Sequence, residues 1–417
     1  MIEAIKNALK VPDLRRRILF TLGMIAIYRF GSHVPVPGVD VSRIADLISA
    51  QAGGVLNFLD LFAGGALARF AVFALGIMPY ITSTIIMQLL TVVIPTLERW
   101  AKEGEVGQKK ITQWTRYGTL ILAILQSMGL IVFFQSSLNV VFPLLTKFLI
   151  VITLTAGTAL IMWLGELITQ KGIGNGMSLL IFASIVSRMP VALFQTVSVQ
   201  SPIFIFFVAA MFLVVVGAVI FIERGQRRIP VQYAKRIVGR KMYGGQATYI
   251  PLKVNTAGVI PIIFASSLLL FPAQIAQFTQ VSWLRSLGNS LSPQSNVYIV
   301  MFAALIIFFT YFYTAIAFNP IDLADNIKKY GGFVPGVRPG KPTASYLDRV
   351  LNRITLPGSF FLATIAILPT LLFRTLNAPF FEYFGGTSLL IIVSVALETM
   401  TQLESQLVMR NYEGFFK

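Results

Sequence analysis

Ten apolar runs, each at or near the length needed to cross a bilayer, divide this chain and leave little room for any other architecture. They fall at about 14–33, 70–94, 117–136, 146–168, 176–196, 202–222, 256–277, 296–318, 354–373 and 385–407. A helix rises about 1.5 Å per residue, so about 20 apolar residues cover a hydrocarbon core ~30 Å thick. The composition agrees: 56% of the 417 residues are hydrophobic and only 12% charged, with a mean hydropathy of +0.76. A soluble domain carries about 25% charged residues. The chain reads as an all-α polytopic membrane protein. Its N-terminal stretch shows no small-residue cleavage site after the first apolar run, so that run reads as a retained first span.

The charges orient it. Of the 34 Lys and Arg residues, 27 fall in one alternate set of connections (1–17, 95–116, Lys171, 224–253, 328–353 and beyond 407) and 7 in the other. Cytoplasmic connections carry the excess of Lys and Arg. An even number of spans puts both termini on the same side, so both are expected in the cytoplasm. Five is odd, so runs 1–5 and 6–10 would form halves of opposite orientation, 1–198 and 199–417, the layout of inverted-repeat transport proteins. The two halves show no convincing residue-level similarity.

One stretch breaks the pattern. Leu56 to Phe62 resembles a helix too short to span; Gly64-Gly65 interrupt it, Arg69 follows, and a full apolar run continues to Val93. Irregular backbone in lipid leaves polar groups unpaired, at several kcal/mol each, roughly, unless it is buried in protein or lines a water-filled cavity. A cavity is therefore expected.

Three basic connections exceed what topology requires. Residues 95–116 are mixed in sign and helix-prone. Residues 223–255 alternate basic with apolar or aromatic residues, the pattern of a β-ribbon. Residues 319–353 hold Gly331-Gly332, Pro335-Gly336 and Pro339-Gly340, which predict a tight, exposed tip around Arg338.

Much chemistry is excluded. Cysteine is absent and His33 is the single histidine, so neither thiolate chemistry nor a histidine metal site is available. No phosphate-binding glycine loop or nucleophile–base pair occurs. The sequence GIGNG at 172–176 reads as a tight turn between spans. An ion-coupled small-solute transporter with inverted repeats is the alternative reading, and it would need an ionisable group near the midplane. Glu398, in the cytoplasmic half of the last run, is the one candidate. Thr82, Ser83, Thr84, Gln88, Gln126 and Asn255 are neutral polar residues within spans or at their ends. Such groups hydrogen-bond between helices, at about 0.6–2 kcal/mol per pair. They suit either a seam that opens and recloses or static helix glue.

Eight segments together resemble the SecY/Sec61α family of protein-conducting channels, in its bacterial branch: RFGSHVPVPGVD (29–40), FAGGALARFAVFALGIMPYI (62–81), WLGELITQKGIGNGMSLLIF (163–182), ERGQRRIPVQYAKR (223–236), PLKVNTAGVIPIIFASS (251–267), YTAIAFNP (313–320), GGFVPGVRPG (331–340) and FGGTSLLII (384–392). The resemblance runs from about Leu14 to Tyr412. It implies two inverted five-helix halves around an hourglass pore, hinged between the fifth and sixth spans.

It also implies roles for individual residues. Ile77, Ile81, Met177, Ile181, Ile263 and Ile391 would form the apolar pore ring, with Met177 a departure from the usual isoleucine. Residues 55–66 would be the plug, including Leu56, Phe58, Leu59, Leu61, Phe62, Gly64 and Gly65. Thr82, Gln88, Gln126 and Asn255 would fall at the lateral gate. Arg227, Arg228, Lys235, Arg236, Arg240, Lys241 and Arg338 would meet the ribosome or the motor ATPase SecA. SecE and SecG would be the small membrane partners, with signal peptides and nascent chains as cargo and lipids, anionic ones included, around the chain. Neither a cofactor, a metal nor a catalytic residue is implied, and the location would be the bacterial plasma membrane. A gasket of branched apolar side chains can deform around any chain, and narrow apolar constrictions exclude ions by dewetting.

Overall fold

The computed structural model describes residues 10–50, 55–199, 201–233, 236–238, 241–243, 247–278, 295–376 and 386–414, with isolated positions between 283 and 292. Lys235 and Arg240 lie outside the described residues, as do the side chains of Phe58, Arg236 and Lys241.

Each of the ten apolar runs falls on a helix. These are α1 (Pro12–Gly31), α4 (Met78–Val93), α6 (Glu105–Leu138), α7 (Leu144–Lys171), α8 (Gly176–Val199), α9 (Pro202–Arg224), α10 (Ile260–Phe278), α11 (Asn296–Ala317), α13 (Lys341–Leu376) and α14 (Gly386–Gly414). Between them lie α2 (Val41–Ala50), α3 (Val55–Phe62), α5 (Pro95–Lys102) and α12 (Pro320–Lys329). Among the described residues, seven helices are long and apolar enough to span by themselves, or eight if α4 and α5, bent by 100° at Ile94, count as one. Two runs fall short for local reasons: the N-terminal turns of α1 carry Asp13, Arg15, Arg16 and Arg17, and the α4 helix has only 16 residues.

The span expected over 70–94 is shorter than its apolar run. Residues 63–77 are a chain of turns, and the helix begins only at Met78. This irregular segment is buried by protein: Ala63, Ala66, Leu67, Phe70, Ala71 and Phe73 are all almost fully enclosed. Its backbone groups find partners. Val72 N–H donates to Val34 C=O and Val36 N–H to Phe70 C=O, each at 2.9 Å, a short bridge to the loop after α1. The Phe73 ring stacks on Tyr28 of α1, and Phe70 meets Phe134 of α6 edge-on. Gly157 of α7 permits the closest approach: a Cβ there would lie 2.0 Å from the Val72 carbonyl oxygen. The backbone argument from sequence therefore holds, with a longer irregular segment than Gly64-Gly65 alone suggested.

The helices before and after residue 200 meet along two seams. On one, α8 packs against α9 and α14; on the other, α10 packs against α4, α6 and α3. The α9 helix buries only Val208 and Val219 and leaves Ile203, Phe206 and Phe221 exposed, as suits a helix facing lipid along most of its length.

The ribbon expected at 223–255 forms. Strand β1 (Gln226–Tyr233) pairs antiparallel with β4 (Ala247–Lys253), and β2 (Arg236–Val238) with β3 (Lys241–Tyr243). Two features were not foreseen. A fifth strand, β5 (Gly332–Phe333), comes from the third basic connection and adds to the free edge of β1. Within that connection Pro320–Lys329 forms α12, capped by Asn319, whose side-chain oxygen accepts from Ile321 N–H at 3.1 Å. Ile229, Val231, Leu252, Ile327, Val334 and Leu347 pack into a core separate from that of the bundle. The two loops are thus one module.

Candidate functional site

The short helix α3 lies inside the molecule. Leu56, Leu59, Leu61 and Phe62 are buried, and enclosing each such side chain contributes about 1.5–3 kcal/mol. Its neighbours are α8, α10 and α2. Beyond Phe62 the backbone turns through Gly64 (φ 64°) and Gly65 (φ 86°), a left-handed conformation that only glycine adopts at no steric cost. The Gly64 carbonyl accepts from Arg29 Nη1 of α1 at 3.0 Å. Next to it, Tyr28 Oη and Ser184 Oγ are hydrogen-bonded at 2.6 Å. Asp60, 2% exposed, pairs with Arg188 of α8, and its Oδ1 accepts from Ala68 N–H at 2.8 Å. The sequence reading passed over Asp60 and Arg188; the available signal was a lone carboxylate in the apolar stretch VLNFLDLF.

A cavity of about 400 Å³ opens among α4, α6, α7, α8, α10 and α11. Four of the six proposed ring residues, Ile81, Met177, Ile181 and Ile263, line it, together with Phe264. Its polar lining includes Gln88, Thr112, Arg116, Glu166, Gln170 and Asn175, towards the basic connections, and Thr84 and Ser178 closer to the apolar residues. Ile81 and Gln88 are seven residues apart on α4, about 10 Å along a helix. The cavity therefore grades from polar at its mouth to apolar at depth. Ile77 and Ile391 are buried in the same apolar cluster without lining the cavity. The irregular segment folds back on itself: a Cβ on Gly76, which precedes Ile77, would lie 3.2 Å from the Cα of Ala63, the first residue after α3.

The four proposed gate residues are not joined by hydrogen bonds to one another among the described residues. Thr82 donates to Met78 C=O in its own helix at 3.0 Å. Asn255 Nδ2 donates to Glu223 Oε1 at 2.7 Å and to Gly258 C=O at 3.0 Å, and Ser394 donates to the same Glu223 oxygen at 2.7 Å. Gln88 lines the cavity and Gln126 is buried on α6. The helix that follows Asn255, α10, nevertheless packs on both α4 and α6. Ser83 acts as glue, donating to Thr115 C=O of α6 at 2.8 Å. Glu398 is exposed on α14.

In the basic module Arg227, Arg228 and Arg338 are exposed. The Arg228 guanidinium lies 4.8 Å from the Tyr249 ring centroid, a cation–π contact that holds it against the ribbon. At the tip, Thr343 Oγ1 donates to Arg338 C=O at 2.8 Å between Gly336 and Gly340, both with positive φ. In the first basic connection Lys102 beside Glu98 holds that carboxyl below its usual range.

A helical membrane protein with a half-helix buried against helices that also line a partly apolar cavity, and a basic module with its own core, is a channel-like class of molecule. The SecY family model matches residues 71–400. Over the whole of both chains, the sequence is 52% identical to the protein translocase subunit SecY of Streptomyces scabiei. The chain belongs to the SecY family. Its fold is similar to a solved structure described as that of a protein conducting channel (TM-score 0.66, 17% identity, 95% of this chain and 96% of that one). It is also similar to Sec61 in the canine ribosome–channel complex from the endoplasmic reticulum (TM-score 0.63, 16% identity, 95% and 96%).

Proposed function

We propose that this chain is the channel-forming subunit of a protein translocase. It passes unfolded polypeptides across the plasma membrane and releases apolar signal or transmembrane helices sideways into lipid. The observation that carries this reading is the cavity: Ile81, Met177, Ile181 and Ile263 line it, and the short helix α3, which this reading takes as the plug, is buried against α8 and α10, two of the helices that form it. A conduit for any sequence cannot specify side chains by hydrogen bonding, and an apolar constriction seals without doing so. The work is not done here. The chain is a passive conduit driven by a bound partner, the ribosome or the ATPase SecA, with SecE and SecG as small membrane subunits.

In this reading residues 1–198 and 199–417 are two halves that hinge at the α8–α9/α14 seam and part at the α10–α4/α6 seam, where Thr82, Gln88, Gln126 and Asn255 serve the gate. Both termini and the basic module face the cytoplasm. Arg227, Arg228 and Arg338 offer charge to ribosomal RNA or to acidic patches of a motor, and Lys and Arg bind phosphate in a salt-dependent manner.

The test is a stalled secretory chain carrying a photocrosslinker within the membrane. Labelling at Ile81, Ile181, Ile263 and Ile391 is the expected result. Labelling confined to lipid-facing positions such as Phe206 would overturn the assignment.

A further inference from the structure

We propose that Asp60 and Arg188 form an electrostatic latch that seats the plug and sets the closed state of the channel. The inference deepens the reading of α3 as a plug and rests on it. Asp60 stands among Leu59, Leu61 and Phe62, yet its carboxylate is 2% exposed and faces the Arg188 guanidinium, itself 20% exposed, across the gap between α3 and α8. The same residue organises the turn that ends the plug. Its Oδ1 accepts from Ala68 N–H at 2.8 Å, and its carbonyl accepts from Gly65 N–H at 2.9 Å. Arg188 in turn fills the space over Gly65, where an added Cβ would lie 3.0 Å from the guanidinium. A second arginine, Arg29 of α1, holds the Gly64 carbonyl at 3.0 Å. Ion pair, turn and glycines form one seat, made by α1 and α8.

An ion pair suits this task better than more apolar contact. Apolar attraction has no direction, and a purely oily plug would be held equally by any oily wall. A carboxylate–guanidinium pair specifies one position and orientation. A buried pair is close to break-even against water, because each ion regains its hydration on release, whereas deleting one partner leaves an uncompensated buried charge. The latch therefore defines the seat strongly and adds little to the cost of opening into a hydrated pore. When α3 leaves, Asp60 and Arg188 both reach water.

The experiment measures resting and substrate-opened conductance of the full chain with its membrane partners in planar bilayers. Asp60→Asn, nearly isosteric, and Arg188→Gln are each expected to raise resting conductance at least tenfold while leaving substrate-opened conductance at the parent's value. The double variant Asp60→Asn/Arg188→Gln, which removes both charges, is expected to leak less than either single variant. Single variants as tight as the parent, or a double whose leak is the product of the two, would overturn the latch. A parent that never conducts, even with a translocating chain, would instead overturn the channel reading. A second readout needs no channel current: aqueous maleimide should label Leu61→Cys at least tenfold faster when Asp60→Asn is added, and an unchanged rate counts against the latch.

Discussion

The Arg116 guanidinium clasps the Glu166 carboxylate through two parallel hydrogen bonds, Nε to Oε1 at 2.8 Å and Nη2 to Oε2 at 2.6 Å. The pair ties α6 to α7 at the polar mouth of the cavity, with Glu166 16% exposed and Arg116 43% exposed. Glu166 lies in the last two turns of α7 and Arg116 in the first half of α6, both towards the basic connections.

Substituting Arg116 by Lys keeps the charge and loses the fork. Hydrogen bonds to charged groups contribute about 1.5–3 kcal/mol, and a half-exposed partner places this one at the lower end. Arg116→Lys should lower the midpoint of thermal unfolding in detergent by a few degrees, and Glu166→Gln by more. Equal midpoints for parent and variants would show the clasp to be without mechanical weight.

Gly64 and Ser184 permit a covalent test of plug movement. A Cβ built on Gly64 lies 3.3 Å from Ser184 Cβ, just short of the range of about 3.5–4.5 Å for disulfides. The chain contains no cysteine, so Gly64→Cys/Ser184→Cys would hold the only pair. Oxidation should stop transport by pinning the plug to α8, and reduction should restore it. Undiminished transport in the fully oxidised protein would separate plug displacement from translocation.

Gly76 precedes Ile77 of the proposed ring and packs on Ala63 of the proposed plug, at φ 57° and 3.2 Å from Ala63 Cα for an added Cβ. Gly76→Ala adds the left-handed strain of roughly 1–2 kcal/mol to a contact that must give way. Leu61→Cys labelling by aqueous maleimide should accelerate in this background, and a rate equal to that of Leu61→Cys alone would show that Ala63 yields without moving the plug.

At the exposed tip, Arg338→Glu should weaken partner docking by tenfold or more while the protein still accumulates in the membrane. Ribosome cosedimentation across a salt series is the measurement. Each lost phosphate contact should reduce the log–log salt slope by about 0.7–0.9. Parent-like docking and slope would remove Arg338 from the interface.

The module beneath that tip has its own core. Leu347→Ala, at a fully buried position packed with Ile229 and Val231, should cost about 2–5 kcal/mol. Proteolytic nicking within 223–255 should quicken while the membrane bundle stays intact; bundle unfolding at the same protease dose would mean that the two cores are not independent.

Much of this molecule was legible without coordinates. All ten apolar runs became helices, and 223–255 became a ribbon, because hydrophobic length and alternation are properties of neighbouring residues. The buried irregular backbone after Phe62 was legible for a different reason: lipid offers no partner to an unpaired amide, so Gly64-Gly65 had to be enclosed. The start of α4 was misjudged by eight residues, since Phe70 to Ile77 are as apolar as any span. What stops them from being helical is the bridge to Val34 and Val36, 38 and 34 residues earlier. Apolarity alone marked Ile81, Ile181 and Ile263 no differently from a hundred other span residues; the family motifs selected them.

Sequence by itself thus determined the class of molecule, the order of its helices and the side on which its charge accumulates. These depend on transfer free energy and backbone pairing, which each segment settles with its solvent. Tertiary structure alone decided that Asp60 meets Arg188 across 128 residues, that β5 joins the ribbon, and that Asn255 holds Glu223 rather than Thr82. Such pairings depend on where rigid helices bring distant side chains, and an isolated charge or amide in a sequence carries no record of its partner.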